Sequence, residues 1–382
     1  MNYLSVENLS KNYGERNLFK DISFGLAKGD KVALIANNGT GKSTLLKILA
    51  GSDVSDSGRF SFRDGVRVSV LEQEPVLTDN AQMTIERFVK EASAEILSII
   101  REYDDALKQS ESGSEESLKT LERVSALMDA REAWDFDRRL ETMLGRFGIY
   151  DLSQTVQSLS GGQKKRLAIA ITVLDQPEFL IFDEPTNHLD IEMVEWLEGY
   201  LMQANVTLLM VTHDRYFLDR VCNSILEMND GKLYRHAGNY GYFLEKRAER
   251  EVVYQTEIEK AGKRMKKELE WLRRQPKART TKSKARIDAF DEIKAKATSG
   301  KKQSELKLDV KMTRIGGKIL ELKKVYKSYD GKELLKGFDY TFKRGERIGI
   351  IGKNGCGKST LLNIITGLEK ADSGKINTGD TI

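Results

Sequence analysis

The stretch Ala36-Asn37-Asn38-Gly39-Thr40-Gly41-Lys42-Ser43 decides how this chain folds. It follows the apolar run Val32–Ile35 and precedes Thr44-Leu45-Leu46-Lys47-Ile48-Leu49, which reads as strand, glycine turn and helix. In such a loop the backbone N–H groups point inward and cradle phosphate oxygens at a helix N-terminus. The expected cradle is Asn38, Gly39, Thr40, Gly41 and Thr44, with Lys42 reaching the β- and γ-phosphates and the Ser43 hydroxyl helping to hold Mg²⁺. The plainer reading is a glycine-rich turn with no ligand. The usual pattern opens on a glycine, whereas this one opens on Ala36; the position lies at the strand end, away from the phosphate nest, so the change is expected to be tolerated.

The motif recurs with its first glycine as Gly352-Lys353-Asn354-Gly355-Cys356-Gly357-Lys358-Ser359, followed by Thr360. Asn354, Gly355, Cys356, Gly357, Lys358, Ser359 and Thr360 form the second candidate cradle, with Ser359 in the metal-holding position. Two copies favour nucleotide binding over an empty turn. A shift of 316 positions aligns the two parts of the chain without gaps, placing Tyr13 on Tyr329, Leu18 on Leu334, Gly29 on Gly345, Lys42 on Lys358, Gly51 on Gly367 and Gly58 on Gly374. This is a duplicated domain. Tyr13 and Tyr329 each precede the first turn of their copy and could stack on adenine or be half-buried strand tyrosines; the recurrence favours stacking.

The 382 residues are enough for two or more domains with real cores. Charged residues make up 31% and hydrophobic ones 40%, while the net charge is only +4, so any case for a nucleic-acid partner must rest on where the charge sits. Cys222 and Cys356 are far apart, and one lies in a phosphate loop; a disulfide is not expected and a reducing cytosol fits. No run reaches the roughly 20 apolar residues of a membrane helix, which weighs against a complete transporter.

Four further stretches carry chemistry. Val66–Leu71 reads as a strand ending near Gln73. Leu159-Ser160-Gly161-Gly162-Gln163 opens a helix running to about Leu174, with Ser160 as N-cap and backbone N–H groups open to an anion. Phe179-Leu180-Ile181-Phe182-Asp183-Glu184 is an apolar strand ending in two carboxylates, expected to organise Mg²⁺ through Asp183 and to polarise the attacking water through Glu184. Val206–Val211 ends at Thr212-His213-Asp214, which puts His213 at a strand C-terminus as a candidate γ-phosphate contact. Between them, residues 84–147 turn helical: Ile85, Phe88, Val89, Ala92, Ile96, Ile99, Ile100 and Tyr103 recur at three- and four-residue spacing. A polar break at 111–114 precedes a second helix carrying Leu118, Leu121, Val124 and Leu127.

The set ANNGTGKS, LSGGQ, FLIFDEPTNHLD and VTHDRYFLD resembles an ATP-binding cassette ATPase. The form EPTNHLD, two cassettes on one chain and no membrane segment resemble the ABC-F branch. That resemblance implies that Gln73 is the Q-loop residue and a metal contact, that Ser160, Gly161, Gly162 and Gln163 are the signature, and that Asp190 is the D-loop acid. Glu184 matches the family's catalytic carboxylate, and His213 its switch histidine.

From about Tyr242 to Lys311 the chain reads as helix, break, helix. Lys263, Arg264, Lys266, Lys267, Arg273, Arg274, Lys277, Arg279, Lys282, Lys284 and Arg286 are opposed in that window only by Glu268 and Glu270. A solvated hairpin is the plain explanation, but a local basic excess at the turn is also the footprint of a phosphate-backbone partner. Trp271 could stack on a base; an anchoring role for the hairpin is preferred. The segment resembles the interdomain linker of ABC-F proteins, nearest the Uup-like group, which implies ribosomal RNA and tRNA as partners, with DNA as a further possibility.

The expected fold is α/β: a P-loop cassette with a mixed sheet, an antiparallel β subdomain and a helical insertion, then a charged helical hairpin and a partial second cassette. The expected domains are 1–241, with the insertion at about 81–155, a linker at 242–315, and the opening portion of a second cassette at 316–382. The expected function is Mg²⁺-dependent hydrolysis of ATP that switches a cytoplasmic, ribosome-acting protein, with a transporter ATPase subunit or a weakly hydrolysing nucleic-acid binder as alternatives. The chain carries two P-loops but one signature, so it is expected to be a truncated form that hydrolyses slowly alone and gains activity by head-to-tail self-association.

Overall fold

The structure is a computed structural model. It describes residues 1–273 (except 15, 38, 76, 79, 112, 113, 204 and 230), 290, 294, and 318–378 (except 330). These residues fall into two compact units, Met1–Tyr240 with Ile350–Lys358, and Gly241–Gly349 with Ser359–Ile382.

In the first unit, β1 (Asn2–Tyr13), β2 (Arg16–Ala27) and β4 (Ser57–Phe62) form an antiparallel sheet in the order β2-β1-β4. Its register slips between Glu7 and Ser10, where Asn8 takes φ 49° and Gly58 of β4 takes φ 83°. A Cβ at Gly58 would lie 2.3 Å from the Asn8 carbonyl oxygen, so this close approach admits only glycine.

The second sheet has six strands: β3 (Lys31–Ala36), β5 (Val68–Leu71), β6 (Phe179–Asp183), β7 (Thr207–Val211), β8 (Ser224–Asn229) and β9 (Lys232–Ala237), in the order β5-β6-β7-β3-β8-β9. All neighbours pair parallel except β8 with β9, which gives the expected mixed sheet. β6 and β7 are buried at every position, as continuous apolar runs covered on both faces should be. The α1 helix (Lys42–Leu49) buries Leu45, Leu46, Ile48 and Leu49 in the cluster that also holds Val32, Leu34, Phe179, Ile181 and Leu209. In this way the apolar side chains around the phosphate loop anchor it to both sheets.

The helical insertion comprises α2 (Ile85–Ala92), α3 (Ala94–Ser110), α4 (Glu115–Ala130) and α5 (Phe136–Arg146). Ile96, Ile99, Met128, Ala133 and Phe136 make its core together with Leu174. The buried face of α4 departs from the expected stripe: it carries Ser117, Val124 and Met128, while Leu118 and Leu127 are exposed. Each of those leucines sits one residue off the buried row, about 100° around the helix. The α6 helix (Gly161–Leu174), α7 (Ile191–Leu201) and α8 (Arg215–Val221) follow in this unit.

In the second unit α9 (Tyr240–Arg273) leads toward the basic window. Of that window Lys263, Arg264, Lys266 and Lys267 lie on α9, whereas Arg274, Lys277, Arg279, Lys282, Lys284 and Arg286 fall outside the described residues. β10 (Lys318–Tyr329), β11 (Lys332–Lys343) and β12 (Ser373–Thr378) form a sheet in the order β11-β10-β12, with α10 (Lys358–Ile365) against it through Leu361 and Ile364. No helix among the described residues is long and apolar enough to cross a membrane.

Candidate functional site

Parallel strands deliver their functional residues to their C-terminal ends, and here four strand ends converge. β3 ends at Ala36 and leads into the phosphate loop, β5 leads to Gln73, β6 ends on Asp183 before Glu184, and β7 leads to Thr212 and His213. A cavity of about 510 Å³ is lined by Tyr13, Gly39, Gly41, Lys42, Ser43, Thr44, Gln73, Asp183, Glu184 and His213. A neighbouring cavity of about 410 Å³ shares Ser43, Gln73 and Asp183.

The loop has the backbone its glycines allow. Gly39 (φ 76°) and Gly41 (φ 97°) are both left-handed, and a Cβ at Gly41 would press to 3.0 Å from Leu18 Cβ. Ala36 is the last residue of β3, pairs with Met228, and is not among the positive-φ residues, so its side chain costs the backbone nothing. Lys42 Nζ donates to the carbonyls of Ala36 (2.8 Å) and Asn37 (3.3 Å). Burial lowers its pKa, while Glu184 and Asp183 act in the opposite direction. Arg16 donates to the Gly39 carbonyl at 2.8 Å and so bridges the first hairpin to the loop. Asn38 lies outside the described residues.

Asp183 and Glu184 are both buried. Glu184 stands at φ 50°, and one carboxylate oxygen, Oε2, accepts the His213 backbone N–H at 3.2 Å. Oε1 is buried with no hydrogen-bond partner and lies 3.6 Å from His213 Nε2. Burial raises the Glu184 pKa, against the opposing hydrogen bond from His213 N–H. A buried oxygen left open at the cavity wall is the feature expected where a water or cation is to be held. No group of three His, Cys, Asp or Glu side chains among the described residues could hold a metal alone. Ser43, Gln73 and Asp183 line the cavity together and could supply the few oxygen ligands typical of a Mg²⁺ that takes the rest from phosphates and water.

The signature is formed but stands apart from this cavity. Ser160 caps α6 in a full capping box: its Oγ accepts from Gln163 N at 3.3 Å, and Gln163 Oε1 accepts from Ser160 N at 2.9 Å. Gly161 and Gly162 follow in the first turn, whose N–H groups have no intrahelical acceptor. Ser160, Gly161, Gly162 and Gln163 are not among the residues around Lys42. Asp190 caps α7, accepting from Met193 N at 3.0 Å.

The second copy repeats the loop geometry closely. Gly355 (φ 74°) and Gly357 (φ 99°) match their counterparts, and Lys358 Nζ donates to the Gly352 and Lys353 carbonyls at 2.6 and 2.9 Å. Asn354 and Ser359 are exposed, Cys356 is an exposed free thiol, and Thr360 is half-buried.

Two lysines at the site were not singled out from the sequence. Lys165, inside the charged-looking run Lys164-Lys165-Arg166, is 1% exposed. Its ammonium donates to the carbonyls of Glu72, Gln73 (3.2 Å) and Asp183 (2.8 Å), tying the signature helix to the ends of β5 and β6. Burial lowers its pKa to about 8. Nothing in the sequence sets it apart from its half-buried neighbours Lys164 and Arg166. Lys11 stands beside Tyr13, and here a signal existed: the 316-residue shift also pairs Lys11 with Lys327.

With this geometry in view, the comparisons agree. Two family models, both described as ABC transporter, match residues 19–187 with 335–381, and residues 226–308. The chain is 43% identical over 384 residues to a Bacillus subtilis (strain 168) protein named Uncharacterized ABC transporter ATP-binding protein YfmR, covering 100% of this chain and 61% of that one. It is 35% identical over 380 residues to the Energy-dependent translational throttle protein EttA of Mycobacterium tuberculosis (strain ATCC 25618 / H37Rv), covering 99% of this chain and 68% of the relative. To EttA of Escherichia coli (strain K12) it is 34% identical over 371 residues, 96% of this chain and 66% of that protein. The chain belongs to the ATP-binding cassette family, in its ABC-F branch. It spans 61% to 68% of the length of these relatives.

Proposed function

We propose that the chain binds Mg²⁺-ATP at Lys42 and hydrolyses it to drive a conformational switch in a protein that acts on the ribosome. The observation that carries the nucleotide reading is the single cavity onto which Tyr13, Lys42, Ser43, Gln73, Asp183, Glu184 and His213 converge. Tyr13 stacks on the base, and the loop N–H groups hold the phosphates. Lys42 exchanges the Ala36 and Asn37 carbonyls for phosphate oxygens. Ser43, Gln73 and Asp183 would hold Mg²⁺, which neutralises phosphate charge when bound. Glu184 orients the attacking water through Oε1, and His213 contacts the γ-phosphate; such chemistry is mostly positioning and charge neutralisation.

The ribosomal part of this reading rests on the ABC-F relatives named as translational throttle proteins and on the basic window at 263–286. Ribosome co-sedimentation with ATP tests it, and Glu184→Gln should enrich the bound fraction. Chemistry is tested by phosphate release: Glu184→Gln should slow hydrolysis by roughly 10²–10⁴-fold with ATP binding near normal, whereas Lys42→Ala should weaken binding itself. Equal loss of binding in both variants would refute the assigned roles.

A further inference from the structure

Tyr13 is more than half exposed, at the end of a strand, where a ring is ordinarily free to change rotamer. Two contacts hold it. Its Oη donates to Asp53 at 2.8 Å, and Lys11 Nζ sits 5.3 Å from its ring centroid. Lys11 is itself buried and fixed, donating to Asp53 at 2.9 Å and to the Val54 carbonyl, with Asp56 at 4.0 Å. The lysine therefore belongs to the wall behind the ring. The second copy repeats the lysine–ring contact with residues at the same 316-residue offset: Lys327 lies 5.0 Å from the Tyr329 centroid and pairs with Glu369 and Asp372, each at 3.1 Å. Across the duplicated copies the lysine beside the aromatic ring is kept, as is the acid at Asp56 and Asp372, while Glu369 replaces Asp53.

We infer that Lys11 is a positioning residue for base recognition, holding Tyr13 in the orientation that receives the adenine of a bound nucleotide; Lys327 does the same for Tyr329. The inference rests on the nucleotide reading above. A ring already fixed loses little freedom when a base stacks on it. A cation on one face also draws π density toward itself and leaves the other face better suited to an electron-rich purine.

The test separates base from phosphate. Affinities for ATP and for inorganic tripolyphosphate are measured on the full chain for the parent, Lys11→Met, Lys11→Arg, Asp53→Asn and Tyr13→Ala, with folding checked by thermal melting. Lys11→Met should weaken ATP by about 3- to 10-fold and leave tripolyphosphate unchanged; Lys11→Arg should restore ATP affinity. Asp53→Asn should give the same selective loss in smaller measure, and it decides the matter if Lys11→Met does not fold. A matched loss of both ligands, or no loss of either, would overturn the positioning role. If Tyr13→Ala also leaves the ATP-to-tripolyphosphate ratio unchanged, the base-stacking reading itself fails; a changed ratio there with an unchanged one in Lys11→Met sinks only the inference.

Discussion

The two copies share a phosphate loop but not the strand before it. In the first, Val32 and Leu34 are 0% and 1% exposed in β3, between β7 and β8. Their counterparts Ile348 and Ile350 are 43% and 40% exposed, and no strand forms over residues 346–353. Yet the glycine dihedrals agree within a few degrees, and α1 and α10 begin and end at equivalent residues. The loop and its helix are local products, set by glycines that accept positive φ and by a good run of helix formers. A strand takes its hydrogen bonds from distant parts of the chain, as β3 does from β7 and β8. Apolar sequence alone does not make a strand.

This contrast can be broken most sharply by amide hydrogen exchange. Residues 32–35 should be protected by at least ~10³-fold more than residues 348–351, since core strands open with free energies near the global value and exposed segments near zero. Comparable protection would show that the second strand finds partners. A smaller effect probes α7 in the first unit. Tyr200 on α7 stacks on Trp196 (ring centroids 5.8 Å apart), and burial raises its pKa to about 12. Its folded value lies above the unfolded one near 10, so its contribution is complete below about pH 10 and is lost as pH rises through 12. The stability difference between the parent and Tyr200→Phe should therefore shift against the parent by roughly 2–3 kcal/mol across that interval. A flat difference would mean that Tyr200 is not buried as described.

The part legible in the sequence was the part built from short-range pattern. Gly39, Gly41, Lys42, Ser43 and Thr44 of the loop, the Ser160 cap, the Asp183-Glu184 strand end and His213 stand where their motifs placed them, because each motif is a strand end or helix start with its own local geometry. What escaped depends on neighbours. The buried row of α4 is chosen by its partner helix, so Leu118 and Leu127, equally apolar, face outward. Lys165 reads as surface charge until three carbonyls from other elements are seen around it. Lys11 lay between: the repeat marked it, but only the fold puts Asp53 beside it.

Whether the cavity around Lys42 is the nucleotide site is tested most directly by titrating ATP into the parent, Lys42→Ala and Lys358→Ala chains and comparing stoichiometry and affinity. Removing a charged hydrogen-bonding partner costs about 1.5–3 kcal/mol. The tight equivalent should accordingly weaken by roughly 10- to 150-fold in Lys42→Ala and persist unchanged in Lys358→Ala. Loss of the tight equivalent in Lys358→Ala, with Lys42→Ala binding like the parent, would contradict that assignment.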